Sequence, residues 1–232
     1  MTVYQKGCNV DASPLSILSS RFMSRRWLAL FRASCAMFLM FTIIIDYTAV
    51  GNIPYILYLT HWLSILNLAY FLTSCCALYS FCPAFIKQSA YILNEICIPN
   101  NIMVCAMYWV AIHPFIRPGY LTTFRLFRNI ADHGLTLALL IVDFTISDTL
   151  FIKGHVFWPT IVLTYIPVNA AYTLTHNVGI YRVLTFRDTL SYVFLSVAVL
   201  VSLTSFIVIS WMGPYLKRSS ATESVYGADI SI

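Results

Sequence analysis

Charge is what this chain has least of. Asp, Glu, Lys and Arg make up 10% of its 232 residues, where soluble domains carry about 25%. So little polar surface cannot cover a globule in water, which argues against a soluble domain and for a membrane protein. The chain also lacks any CxxC pair and any Cys/His spacing suited to a metal. Its cysteines (Cys8, Cys35, Cys75, Cys76, Cys82, Cys97 and Cys105) are odd in number and mostly lie in or beside apolar runs. They read as reduced, small apolar side chains rather than a disulfide framework, and no cofactor is expected. An N-x-[ST] sequon, an internal repeat and a cleavable signal peptide are all missing. The first long apolar run, near Trp27, is too long for a signal h-region and reads as a retained anchor. The apolar runs show no β alternation, so helices rather than a closed barrel must satisfy their backbone groups in lipid.

What the chain does have is hydrophobic sequence: 59% of residues, with a mean hydropathy of +0.78. Six segments approach the ~20 apolar residues that a spanning helix needs. They are Trp27–Val50, Tyr55–Cys82, Asn100–Phe115, Asn129–Asp148, Val156–Val178 and Leu190–Trp211. The third is short, and an earlier start near Ile92 with a kink at Pro99 would lengthen it. The expectation is an all-α, polytopic six-helix transmembrane bundle over residues 27–212, with polar tails at 1–26 and 213–232 and no separate soluble domain.

The formal net charge is +5. In a soluble protein that would hint at nucleic acid. Here the basic residues fall between apolar blocks, which reads as membrane orientation, with the bilayer and not nucleic acid as partner. One side carries Lys6, Arg21, Arg25, Arg26, Lys87, Lys153, Lys217 and Arg218; the other carries Arg117, Arg125, Arg128, Arg182 and Arg187. The heavier side holds both termini, so cytoplasmic termini are expected. Which membrane is involved, plasma membrane or endomembrane, is left open.

Alternation of direction then sets the depth of each intramembrane polar residue. Asp46 ends span one near the outer face. Thr60 and His61 begin span two there, span three brings up His113, span four starts with Asp132 and His133, and span five ends with Thr175 and His176. Four of the five histidines thus share one layer. Interfacial placement explains His61, His113 and His176 individually, and a hydroxyl bonded back to the preceding turn explains Thr60. His133 sits beside Gly134 in "DHGLTLALLIVDF", where another helix can approach closely, so it faces protein. Nearer the inner end, Arg32 on span one and Asp143 on span four lie at matched depth. They are expected to pair, the alternative being a snorkelling Arg32 and a neutral Asp143.

"YLTHW" in span two, "DHGLTLALLIVDF" in span four and "IYRVLTFRD" after span five resemble the rolling stone family. That family is in turn similar to the androgen-induced-protein group of multi-span membrane proteins. The resemblance to that group implies a membrane threonine hydrolase acting on lipid esters, specifically fatty acid esters of hydroxy fatty acids. Its nucleophile then matches Thr60 and its base His133. The resemblance to rolling stone implies instead a non-enzymatic role in cell-surface interaction or myoblast fusion, against which the short loops offer little adhesive surface. Imidazole is the usual base for a hydroxyl nucleophile, and a third group should orient it. Asp132 would point ~100° from His133 on an α-helix, so Asp46 is the preferred third member. Asn169, Thr173 and Thr175 would line the same cavity. A haem held by two facing histidines is the third reading, disfavoured because each histidine has an unliganded explanation.

Overall fold

The computed structural model describes residues 14–49, 54–116, 122–181 and 183–228. The N-terminal residues through 13, and Arg117 and Arg182 of the charge tally, lie outside them. The described residues form no strand and seven α-helices: α1 (Arg25–Ala49), α2 (Leu59–Ala77), α3 (Ala84–Met107), α4 (Thr123–Ile130), α5 (Thr136–Ile146), α6 (Tyr165–His176) and α7 (Thr189–Ala228). A π turn at Ala131–Leu135 joins α4 to α5 as one rod, and another at Tyr108–Ile112 extends α3. A 3-10 segment, Trp158–Thr164, runs directly into α6. Six rods result, in the expected all-α bundle.

Four rods are long and apolar enough to cross a membrane: Arg25–Ala49, Ala84–Phe115, Thr123–Ile146 and Thr189–Lys217. The other two fall short for different reasons. α2 has 19 residues, and its His61, Ser64, Asn67 and Ser74 are buried against neighbours. The fifth rod is broken by its 3-10 half. Large apolar side chains such as Phe41 and Ile44 on α1 and Val197, Leu200 and Ile207 on α7 face outward. An apolar outer surface of that extent marks a membrane protein.

α3 packs against α2, α5, α7 and the 3-10 segment, so it occupies the centre of the bundle. It begins at Ala84, well before the expected Asn100, and Pro99 lies inside it without ending it. The run "NEICIPNN" hid this start because its polar residues lower the hydropathy of a segment that is in fact buried. Asn67 and Asn101 exchange amide hydrogen bonds of 3.1 and 2.9 Å. Asn100 donates to the Pro159 carbonyl at 3.1 Å and accepts from Ser202 at 3.1 Å. Glu95 accepts from the Ile152 N–H at 2.8 Å and meets His155 Nδ1 at 2.6 Å. Polar groups paired in this way can stay in a core that would otherwise reject them. The C-terminal stretch, expected as a polar tail from 213, instead continues α7 to Ala228 through Pro214.

The expected pair near the inner end is present. Arg32 Nε lies 2.9 Å from Asp143 Oδ1, with both side chains fully buried. Arg32 also donates to the carbonyls of Ile17 at 2.8 Å and Ser74 at 3.3 Å, while the Tyr70 hydroxyl donates to Asp143. Nearby, Lys217 Nζ donates to the carbonyls of Phe144, Ser147 and Thr149 at and beyond the C-terminal end of α5.

The six-span expectation requires both ends of the chain to lie on one side of the membrane. With the Lys/Arg excess on that side, tags at both termini should be protected from protease added outside intact cells. Exposure of both would reverse the orientation; exposure of one would break the six-rod topology.

Candidate active site

The buried face of α1 runs through Leu28, Arg32, Cys35, Leu39, Thr42 and Asp46, spaced by three and four residues. Asp46 therefore faces the interior as Arg32 does, ~21 Å farther along at 1.5 Å per residue. There its Oδ1 accepts from Arg128 Nε of α4 at 2.5 Å. The Asp132 carboxyl lies against Asp46, and the Tyr55 hydroxyl is close to both. The Tyr55 ring stacks on His61 with centroids 3.7 Å apart, and His61 Nδ1 lies 2.6 Å from the Tyr55 carbonyl. His61 is thus buried in protein rather than placed at the interface.

His133 sits in the π turn between α4 and α5. Its imidazole stacks on Tyr108, from the π turn that ends α3, at 3.8 Å and 10°. Trp109 Nε1 donates to the His133 carbonyl at 3.2 Å. Thr136 Oγ1 donates to the Ala131 carbonyl at 2.9 Å, five residues back, which matches the wider turn. That wider turn changes what an α-helix would dictate: Asp132 and His133 both line one cavity. His133 Nδ1 is buried without a hydrogen-bond partner. Asp46, expected to orient this ring, is engaged by Arg128 instead, because α4 presents that guanidinium to it. The ring is held by stacking, not by a carboxylate.

Thr60 lies in the first turn of α2, half-buried, on the same cavity. The loop after α6 closes over it. Asn177, at φ 55°, ends α6 in the left-handed conformation that asparagine tolerates. The chain then turns so tightly that a Cβ on Gly179 would meet the Tyr181 carbonyl at 2.9 Å. This turn delivers the Tyr181 hydroxyl to the start of α2, where it accepts from the Leu59 N–H at 3.0 Å beside the Thr60 hydroxyl. Farther on, Asp188 caps α7 by accepting from the Ser191 N–H at 2.7 Å. The Thr185 hydroxyl first, then the Ser191 groups, hold the Asp188 carboxyl below the usual carboxylate range.

The cavity measures about 1360 Å³, larger than the ~300–1,000 Å³ of sites for drug-sized ligands. Its polar end carries Thr60, His61, Arg128, Asp132, His133 and Tyr181; its long wall is apolar, with Met103 and Val104 from α3 facing Leu195, Val199 and Leu203 from α7. Asn169 and Thr173 are not part of this lining. They are tied up internally, Asn169 donating to the Tyr165 hydroxyl at 2.9 Å and accepting from Thr173 at 3.0 Å. Thr175 is exposed, and so is His176, which stacks on Tyr172. His113 packs on Trp109 at 4.7 Å. Among the described residues no three His, Cys, Asp or Glu side chains group to hold a metal.

Three participants in this layer escaped the sequence reading: Arg128, Tyr108 and Tyr181. Arg128 stands four residues before Asp132, a spacing that places both on one helical face. Tyr181 lies in "IYRVLTFRD", a stretch already noticed for another reason. Tyr108 has no comparable signal. No family model, no curated protein and no solved structure matches this chain.

Proposed function

We propose that the protein is an intramembrane hydrolase of lipid esters, with Thr60 as nucleophile and His133 as base. The observation that supports it is the convergence of Thr60 and His133, from separate helices, on one large cavity with a polar end and an apolar wall. Such a cavity fits an amphiphile, with its ester at the polar end and an acyl chain between α3 and α7. "YLTHW" and "DHGLTLALLIVDF" resemble the rolling stone family, and the similarity of that family to the androgen-induced-protein group points to fatty acid esters of hydroxy fatty acids as the substrate class.

In this reading Thr60 attacks the ester carbonyl while His133 takes the hydroxyl proton. The imidazolium then protonates the leaving alkoxide, and water attacks the acyl-threonine with His133 again as base. Two features of the site serve this chemistry. Tyr108 fixes the ring plane, and the Trp109 bond fixes the backbone that carries it.

A fluorophosphonate probe of the kind used for serine hydrolases should label the purified wild type and leave Thr60→Ala unlabelled. Wild type that shows neither labelling nor esterase activity in detergent or in vesicles would sink the reading. Thr60 and His133 would then be a helix hydroxyl and a packing residue.

A further inference from the structure

We infer that Tyr181 is a third catalytic residue, the donor that stabilises the oxyanion formed when Thr60 attacks. The inference rests on the hydrolase reading of the same site and adds a group which that reading does not contain.

Carbonyl attack moves a pair of electrons onto the carbonyl oxygen, which needs a hydrogen-bond donor aimed at it. Neither His61 nor Tyr165 is free for this. His61 directs its Nδ1 to the Tyr55 carbonyl at 2.6 Å. Tyr165 donates its hydroxyl proton to the Leu57 carbonyl at 2.7 Å and accepts from Asn169 at 2.9 Å. Tyr181 differs. Its phenol oxygen accepts from the Leu59 N–H at 3.0 Å, which occupies a lone pair and leaves the O–H proton to be donated. The Thr60 hydroxyl, the Thr60 backbone N–H and the Tyr165 hydroxyl lie beside the same oxygen, and Tyr165 spends its own proton on Leu57, so the Tyr181 proton is the one left to face the cavity that Tyr181 lines. Its ring is braced edge-on by Tyr58, with centroids 6.1 Å apart at 87°. The chain turns back towards α2 at Gly179, where a Cβ would meet the Tyr181 carbonyl.

The step balances without another reagent. Thr60 Oγ bonds to the carbonyl carbon, its proton goes to His133, and the carbonyl π pair becomes the oxyanion. Tyr181 donates a hydrogen bond to that oxygen and keeps its proton. When the C–O bond to the leaving alcohol breaks, the pair returns to the carbonyl, and His133 protonates the departing oxygen.

The test uses the full-length chain and a long-chain 4-nitrophenyl ester. Loss of one oxyanion donor typically costs about 10²–10³ in kcat. Tyr181→Phe should lose that much kcat with KM close to wild type. A second series replaces Tyr181 with fluorinated tyrosines of graded acidity, which keep the hydroxyl, the ring and the Leu59 bond. The rate, measured below each phenol's ionisation, should rise as the phenol becomes more acidic; a merely structural tyrosine gives no such trend. If Tyr181→Phe fails to fold, the fluorotyrosine series decides alone. Active wild type with a flat series, or with a fully active Tyr181→Phe, overturns the role of Tyr181 and leaves the hydrolase standing. Inactive, unlabelled wild type removes both.

Discussion

Thr60→Ala is expected to abolish turnover of a long-chain ester of a hydroxy fatty acid, and His133→Ala to reduce it by about 10²–10⁴-fold, the usual worth of a general base. The double variant should be no worse than Thr60→Ala, since nucleophile and base act as one unit. Thr60→Ser should keep part of the activity because it keeps the hydroxyl. Folding is a separate question with its own readout. Thr60 is small and half-buried, so its truncation leaves little cavity. His133→Ala loses the stack on Tyr108, worth about 0.5–1.5 kcal/mol beyond area burial. Thermal unfolding in detergent should therefore show Thr60→Ala near wild type and His133→Ala slightly lower. A multiplicative loss in the double variant would mean that the two residues act in different steps, and the assignment of His133 as the base for Thr60 would fall.

The second large effect lies at the other end of the bundle. Arg32 and Asp143 are fully buried 2.9 Å apart, and breaking such a pair leaves an uncompensated buried charge that costs about 3–5 kcal/mol. Arg32→Ala and Asp143→Ala should each sharply lower folded yield. The double variant should recover part of it, because no unpaired charge remains. Recovery should be incomplete, since Arg32 also serves the carbonyls of Ile17 and Ser74, and the Tyr70 hydroxyl loses its acceptor. Additive losses would show that the two charges do not depend on each other. Activity should follow the folded fraction rather than fall further, because the pair lies far from Thr60.

Depth was legible in the sequence and azimuth was not. Alternation of direction is enough to level Asp46, Thr60 and His133, and equally Arg32 with Asp143. For Arg32 and Asp143 level and pairing coincide, because buried opposite charges at one depth have few other partners. For Asp46 they do not. Its partner, Arg128, reads in sequence as one more cation outside a span, and only the start of α4 at Thr123 brings it into the layer. The early start of α3 was hidden for a related reason. Window hydropathy treats Glu95, Asn100 and Asn101 as reasons to be outside, whereas here they bond to neighbouring elements and are reasons for those to come close. The cavity itself has no linear signature, being the space left between α3 and α7 where apolar side chains fall short of one another.

The π turn at Ala131–Leu135 carries a further consequence. The rod from Thr123 to Ile146 serves two masters: His133 must look into the cavity, and Asp143 must look at Arg32. Ten positions separate them, about 15 Å of rise. In a π turn one surplus residue is wound into the rod, which shifts the phase of everything after it relative to everything before. Rewinding the same residues as a regular α-helix would turn the lower half of the rod by about 100° against its upper half. Asp143 and His133 could then no longer both find their places. Deleting one residue from the turn would instead remove the surplus and leave the two halves in their present phase, so the bulge works as a phase-setter between the site and its anchorage.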